Sequence, residues 1–208
     1  MWYRHHRYAV LFYTLLFTMV ADPLFSALGW GDTLIQLFLA ANLLAAVTSI
    51  DFGVRRPMLL AVVAGLLIAR AATGWVEAPA LAVATLAVLT IAGLAAAAGA
   101  LRFALTARVV ALEHVYAALS AYLLAGLFFG LAYWAVDQLR PGALGGASAH
   151  SLADAIYFSF VTLATLGYGD IVPRGEIARG LAVVEGVGGQ LFLAVMVARL
   201  VSLYVRRD

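Results

Sequence analysis

Apolar runs of about twenty residues follow one another along nearly the whole chain, each long enough to cross the roughly 30 Å hydrocarbon core of a bilayer as a helix. No other feature limits the fold so strongly. Backbone in hydrocarbon must satisfy its own hydrogen bonds, which leaves helices and closed barrels, and continuous rather than alternating apolar runs select helices. With 65% hydrophobic residues and only 13 Arg and 11 Asp or Glu to carry charge, the chain is too apolar for a water-soluble globule. A net charge of +2 leaves no basic footprint for nucleic acid, so none is expected as a partner. Cysteine is absent, which removes disulfides, thiol chemistry and cysteine metal sites.

The runs divide into six expected spans, at about 8–28, 33–50, 57–76, 78–101, 109–136 and 178–205. Arg4, His5, His6 and Arg7 before the first run look like the start of a secretion signal. No small-residue cleavage site follows, however, and Asp22-Pro23 leads into more apolar sequence, so a retained span is expected. Short cytoplasmic loops collect arginine. With six spans, Arg4, Arg7, Arg55, Arg56, Arg102, Arg108, Arg206 and Arg207 share one side, against Arg140, Arg174 and Arg179 on the other. Both termini are therefore expected in the cytoplasm of a multi-pass inner (cell) membrane protein. Three residues follow Val205, so no cytoplasmic ligand-binding domain is expected after the last span.

Residues 145–176 are neither apolar enough to span nor polar enough for a plain loop. Ser151-Leu152-Ala153-Asp154 has the S-x-x-D spacing of a helix start, ahead of a short amphiphilic stretch to Ala164. Thr165-Leu166-Gly167-Tyr168-Gly169-Asp170 follows, where alternate glycines permit positive φ and stop the helix. Non-helical backbone at membrane depth is tolerated where it is buried in protein or lines water, so this stretch faces a pore or a subunit interface.

These residues resemble the potassium channels, whose selectivity filter reads T-V-G-Y-G and is generally followed by Asp; Leu166 is the one change. The flanks, Tyr122 to Trp134 and Gly189 to Val201, resemble bacterial two-helix pore modules, so the likeness covers the C-terminal half. The resemblance implies an all-α membrane protein with six transmembrane helices, a re-entrant pore helix and a filter loop. Residues 1–101 would form an S1–S4-like domain without a charged fourth helix, and 102–208 the pore domain (outer helix 109–136, pore helix 152–164, filter 165–170, inner helix 178–205). It implies K+ bound by the carbonyls of Thr165, Leu166, Gly167 and Tyr168 and by the Thr165 hydroxyl, with Gly169 and Asp170 completing the filter. Rings of carbonyls replace the ion's hydration shell. One chain has one such segment, so a homotetramer in the lipid bilayer is expected. No cofactor is expected, K+ being the permeant ion. Tyr168 is expected to project from the ions into an aromatic cuff with Tyr157 and Phe158.

Gly186, Gly188 and Gly189 lie where the family often has a gating hinge; small-residue helix packing is the alternative. Glu185 is the costliest residue of its span and is expected to face protein or water. It would either support the filter through Thr162 or Ser159, or face the conduction cavity. Arg70 lies about 20 Å into the third span and Asp22 about 21 Å into the first, at 1.5 Å per residue. Equal depth favours an ion pair between them, with Asp32 and Glu77 as competitors. His114, next to Glu113, is read as an interfacial histidine with a satisfied partner, the sharper reading being a pH sensor.

A membrane enzyme or electron carrier would need facing histidines or a nucleophile motif, and the spans offer only His114 and no Gly-x-Ser-x-Gly. Transporters of the same lineage carry four degenerate pore segments in one chain, whereas this chain has one. A potassium-selective channel, not an enzyme and not strongly voltage-gated, is therefore expected. A less selective monovalent cation channel, or a non-conducting or transport-related subunit, is the alternative.

Overall fold

The computed structural model of the chain describes residues 2–27, 38, 41–46, 65, 79–106, 111–146 and 151–205. Its elements are α1 (Trp2–Ala27), α2 (Pro79–Thr106), α3 (Leu112–Leu139), β1 (Leu144–Gly146), α4 (Leu152–Leu163), β2 (Ile171–Pro173) and α5 (Glu176–Val205). Most of the expected second span and nearly all of the third lie outside the described residues, as do the side chains of the Arg70–Asp22 pair, Asp32 and Glu77. Among the described residues, Leu86–Thr106, Leu112–Leu139 and Glu176–Arg199 are long and apolar enough to cross a membrane, while His6–Ala21 is apolar but shorter. This is a largely helical membrane protein.

Helix α3 lies at the centre, packed most extensively against α2 and then against α4 and α1. Small residues let the helices close in, since without a hydrophobic driving force in lipid, tight van der Waals contact holds them. Ala96, Ala97, Ala100 and Ala104 of α2 are buried, as are Ala117, Ala118 and Ala121 of α3. At Gly130 of α3 an added Cβ would stand 2.6 Å from the Ile156 Cα, so the absent side chain is what admits α4.

Helix α2 runs to Thr106, past the expected end at 101, which places Arg102 within the helix rather than beyond it. No Gly or Pro interrupts Leu101 to Leu105, and Phe103 anchors the extra turn by stacking on Tyr8 (4.8 Å) and His114 (4.7 Å). Helix α3 begins at Leu112, where His114 Nδ1 accepts the Ala111 N–H at 3.2 Å, and ends three residues beyond 136. Glu113 accepts the Tyr8 N–H at 2.7 Å and ties α1 to the same corner.

One pairing is absent from the all-helical expectation. β1 and β2 pair antiparallel, Leu144 opposite Pro173 and Gly146 opposite Ile171. Asp137 accepts the Leu144 N–H at 3.1 Å, and the Ala143 carbonyl accepts from the N–H groups of Arg174 (2.8 Å) and Gly175 (3.1 Å). The loop leaving α3 is thereby fastened to the residues that follow Asp170.

Candidate functional site

Ser151 caps α4 as its spacing predicts. Its hydroxyl accepts the Asp154 N–H at 3.0 Å and donates to the Asp154 carboxylate at 2.7 Å, and the Ser151 N–H reaches the same carboxylate at 3.3 Å. The helix has 12 residues, about 18 Å at 1.5 Å per residue. Its C-terminus, the partially negative end of its dipole, leads directly into Thr165.

The helix stops in a left-handed C-cap. Thr165 has φ +56°, its N–H donates to the Thr162 carbonyl at 3.0 Å, and the Leu166 N–H donates to the Val161 carbonyl at 2.9 Å. This is the Schellman arrangement, with threonine at the position glycine usually holds. A β-branched residue there carries a cost of about 1–2 kcal/mol, and such strain clusters at functional sites. Gly167 (φ +61°) and Gly169 (φ +80°) also have positive φ, whereas Leu166 and Tyr168 do not. Successive residues of alternating hand turn their N–H groups to one side of the chain, which leaves the carbonyls on the other. Among the described residues no backbone N–H donates to the carbonyls of Thr165, Leu166, Gly167 or Tyr168, and all four residues are exposed. An unpaired row of oxygens cannot sit in hydrocarbon. Chemically, it can coordinate a cation.

Three supports hold this segment. Outside it, the Tyr157 hydroxyl donates to Asp170 at 2.8 Å, and that bond keeps the Asp170 carboxyl below the usual carboxylate range. Behind it, Glu185 of α5 is 1% exposed and accepts from the Tyr133 hydroxyl of α3 at 2.7 Å. The Ser159 hydroxyl of α4 lies between Glu185 Oε1 and the Gly126 carbonyl, so one carboxyl group joins three helices. Beneath it, Gln190 Nε2 donates to the Thr165 hydroxyl oxygen at 3.1 Å.

Several expectations change at this point. Of the two partners open to Glu185, the structure selects Ser159. Thr162 contributes only its main-chain carbonyl to the cap. Both oxygens of Glu185 are engaged, by Tyr133 of α3 and Ser159 of α4, while the residue also borders a cavity of about 220 Å³ between α2, α3 and α5. Phe158 does not join a cuff with Tyr157 and Tyr168. Consecutive helical residues point about 100° apart, and Phe158 lies buried behind α4, edge-on to Tyr133 at 4.8 Å. Tyr168 is exposed in the single chain. The glycines of α5 differ from one another: a Cβ on Gly189 would stand 2.6 Å from the Leu163 carbonyl oxygen, whereas Gly186 and Gly188 have open space. Gly189 is thus a packing residue. Helix α5 runs without a break from Glu176 to Val205. Tyr133 and Gln190 were not singled out in the sequence. A hydroxyl inside an apolar span marks the first, and the rarity of polar side chains in α5 marks the second.

Comparison with known proteins fits this arrangement. The ion channel family matches residues 117–206, the stretch that carries α3 to α5. Protein LctB of Bacillus caldotenax is 31% identical over 99 residues, which cover 44% of this chain and 73% of that protein. The chain belongs to the ion channel family. The family match and the relatives point to a channel rather than an enzyme. The inward rectifier potassium channel Kirbac3.1 of Paramagnetospirillum magnetotacticum is 36% identical over 89 residues, 41% of this chain and 28% of the relative. Two-pore potassium channel 4 of Arabidopsis thaliana is 42% identical over 57 residues, 27% of this chain and 20% of the relative. The chain thus spans less than a third of either potassium channel's length. No solved structure matches the chain significantly.

Proposed function

We propose that four copies of this chain surround a potassium-selective pore through which K+ passes down its gradient, with both termini in the cytoplasm of a cell membrane. The observation that carries the proposal is the alternation of backbone hand at Thr165, Gly167 and Gly169, which leaves four consecutive carbonyls unpaired. Oxygens of moderate field strength suit a large, weakly hydrated monovalent cation, and one chain supplies one side of such a cage. The exposed apolar face of α5, with Val183, Val187, Leu191 and Val197, supports assembly about an axis. The named potassium channels among the relatives support the choice of ion. In this reading residues 165–170 are the filter, α4 is the pore helix, α3 and α5 are the outer and inner helices, and residues 1–101 form a separate helical domain in a six-span chain. The test is reconstitution into vesicles loaded with K+ and diluted into Na+, with a voltage-driven dye or proton readout. Flux that requires K+ inside supports the proposal, and equal flux with Na+ loading refutes it.

A further inference from the structure

Between Gly180 and Ala198, α5 carries two side chains able to form strong hydrogen bonds, Glu185 and Gln190. Five residues set them about 140° apart around the helix. Glu185 turns to Ser159 and Tyr133 behind the Thr165–Asp170 segment, and Gln190 meets Thr165 on its open side. We propose that Gln190 sets the cation affinity of the innermost site by occupying one lone pair of the Thr165 hydroxyl; this rests on the reading of Thr165 as an ion ligand.

Thr165 is the one non-glycine with positive φ among the described residues. That backbone, locked by the Thr162 and Val161 carbonyls, brings Oγ1 within 3.1 Å of Gln190 Nε2. A threonine hydroxyl has one proton and two acceptor lone pairs. The amide N–H takes one lone pair and places the positive end of its dipole against the oxygen, so the oxygen offers a passing ion one lone pair and a weaker field. Both residues are exposed in the single chain, so the contact lies on the open side of the site. Repeated in four copies, Gln190 forms a ring of donors at the inner end of the carbonyl row. Such a ring disfavours tight binding of a divalent cation more than it hinders a monovalent one, because repulsion from a fixed partial charge scales with the ion's charge.

The test is Ba2+ inhibition, applied from the side of the α5 C-terminus to the purified full chain in bilayers, with K+ as the current carrier. Gln190→Met keeps the length and loses the donor, and at least twofold tighter inhibition is expected. Gln190→Glu replaces donor with acceptor and should tighten inhibition at least tenfold. In a Thr165→Ala background, Gln190→Met should have no effect, an outcome that a packing role would not produce. Unchanged or weaker inhibition in Gln190→Met overturns the proposal, as does an equal effect with and without the Thr165 hydroxyl. Should Gln190→Met fail to assemble, Gln190→Ala is read the same way. The K+ against Na+ reversal potential of the wild type, taken in the same bilayers, separates the two readings. A non-selective wild type refutes Thr165 as a K+ ligand, whereas a selective wild type with indifferent Gln190 variants refutes this inference alone.

Discussion

Replacing Glu185 by valine should damage the protein more than replacing it by glutamine, and the hydrogen bonds give the size. Glu185 is 1% exposed and accepts the Tyr133 hydroxyl at 2.7 Å, while Ser159 holds the Gly126 carbonyl at 2.6 Å as a second acceptor. Valine leaves Tyr133, itself 0% exposed, with a buried hydroxyl and no acceptor, a cost of about 1–3 kcal/mol. The smaller side chain adds a cavity cost of about 1 kcal/mol. Ser159 loses little because its second acceptor remains. A total near 3 kcal/mol corresponds to a fall of about 6–12 °C in Tm on the scale of domains this size. Glutamine keeps the shape and one acceptor oxygen, so about 1 kcal/mol is expected. Thermal unfolding of the purified protein, followed by tryptophan fluorescence, reads both. Adding Tyr133→Phe to the valine variant removes the orphaned hydroxyl and should be neutral or stabilising, although Tyr133→Phe alone destabilises. Equal Tm for the valine and glutamine variants, or a Tyr133→Phe penalty undiminished beside valine, would refute the three-helix junction.

Other predictions follow from the same geometry. Gly167→Ala and Gly169→Ala should abolish selective flux, because φ of +61° and +80° opposes a Cβ; vesicles retaining wild-type selectivity in either variant would count against the assignment. Gly189→Ala should cost about 1–3 kcal/mol through its clash with the Leu163 carbonyl, while Gly186→Ala, facing open space, should be harmless; equal melting temperatures would contradict the distinction. The Asp170 carboxyl titrates low because Tyr157 donates to it. A depressed carboxyl contributes its stabilisation above its ordinary titration range and loses it as pH falls through the lowered value, so Tyr157→Phe should move Asp170 titration upward by carbon NMR, and an unmoved curve would deny the bond. Conductance should depend weakly on voltage: Arg102 is the only charged residue of α2, so α2 moves at most about four charges per tetramer at about 2.3 kcal/mol per 100 mV each, and a slope needing eight or more would overturn this.

What could be read from the sequence was whatever depended on neighbours along the chain. Ser151 and Asp154 are three residues apart, and their reciprocal cap is as their spacing predicts. Gly167 and Gly169 gave away the positive φ by residue type. Thr165 concealed the same conformation, because its side chain argues against it and only the cap bonds impose it. The partners of Glu185 were half visible: Ser159 belonged to the adjacent short helix, whereas Tyr133 lies 52 residues away and no local pattern links the two. The β1–β2 pairing was hidden because Leu144-Gly145-Gly146 has no alternation to betray a strand. The C-terminal turn of α2 was underestimated because Arg102 reads as a span boundary, although the packing of Phe103 decides where the helix ends.

The central claim is that the unpaired carbonyls of Thr165 to Tyr168 coordinate K+ in preference to Na+. The most direct test is the bi-ionic reversal potential of the purified protein in a planar bilayer, with K+ on one side and Na+ on the other. Each tenfold preference moves that potential by about 59 mV for a single charge. The account predicts a displacement beyond about 100 mV in the direction of K+. A reversal potential near zero would contradict it.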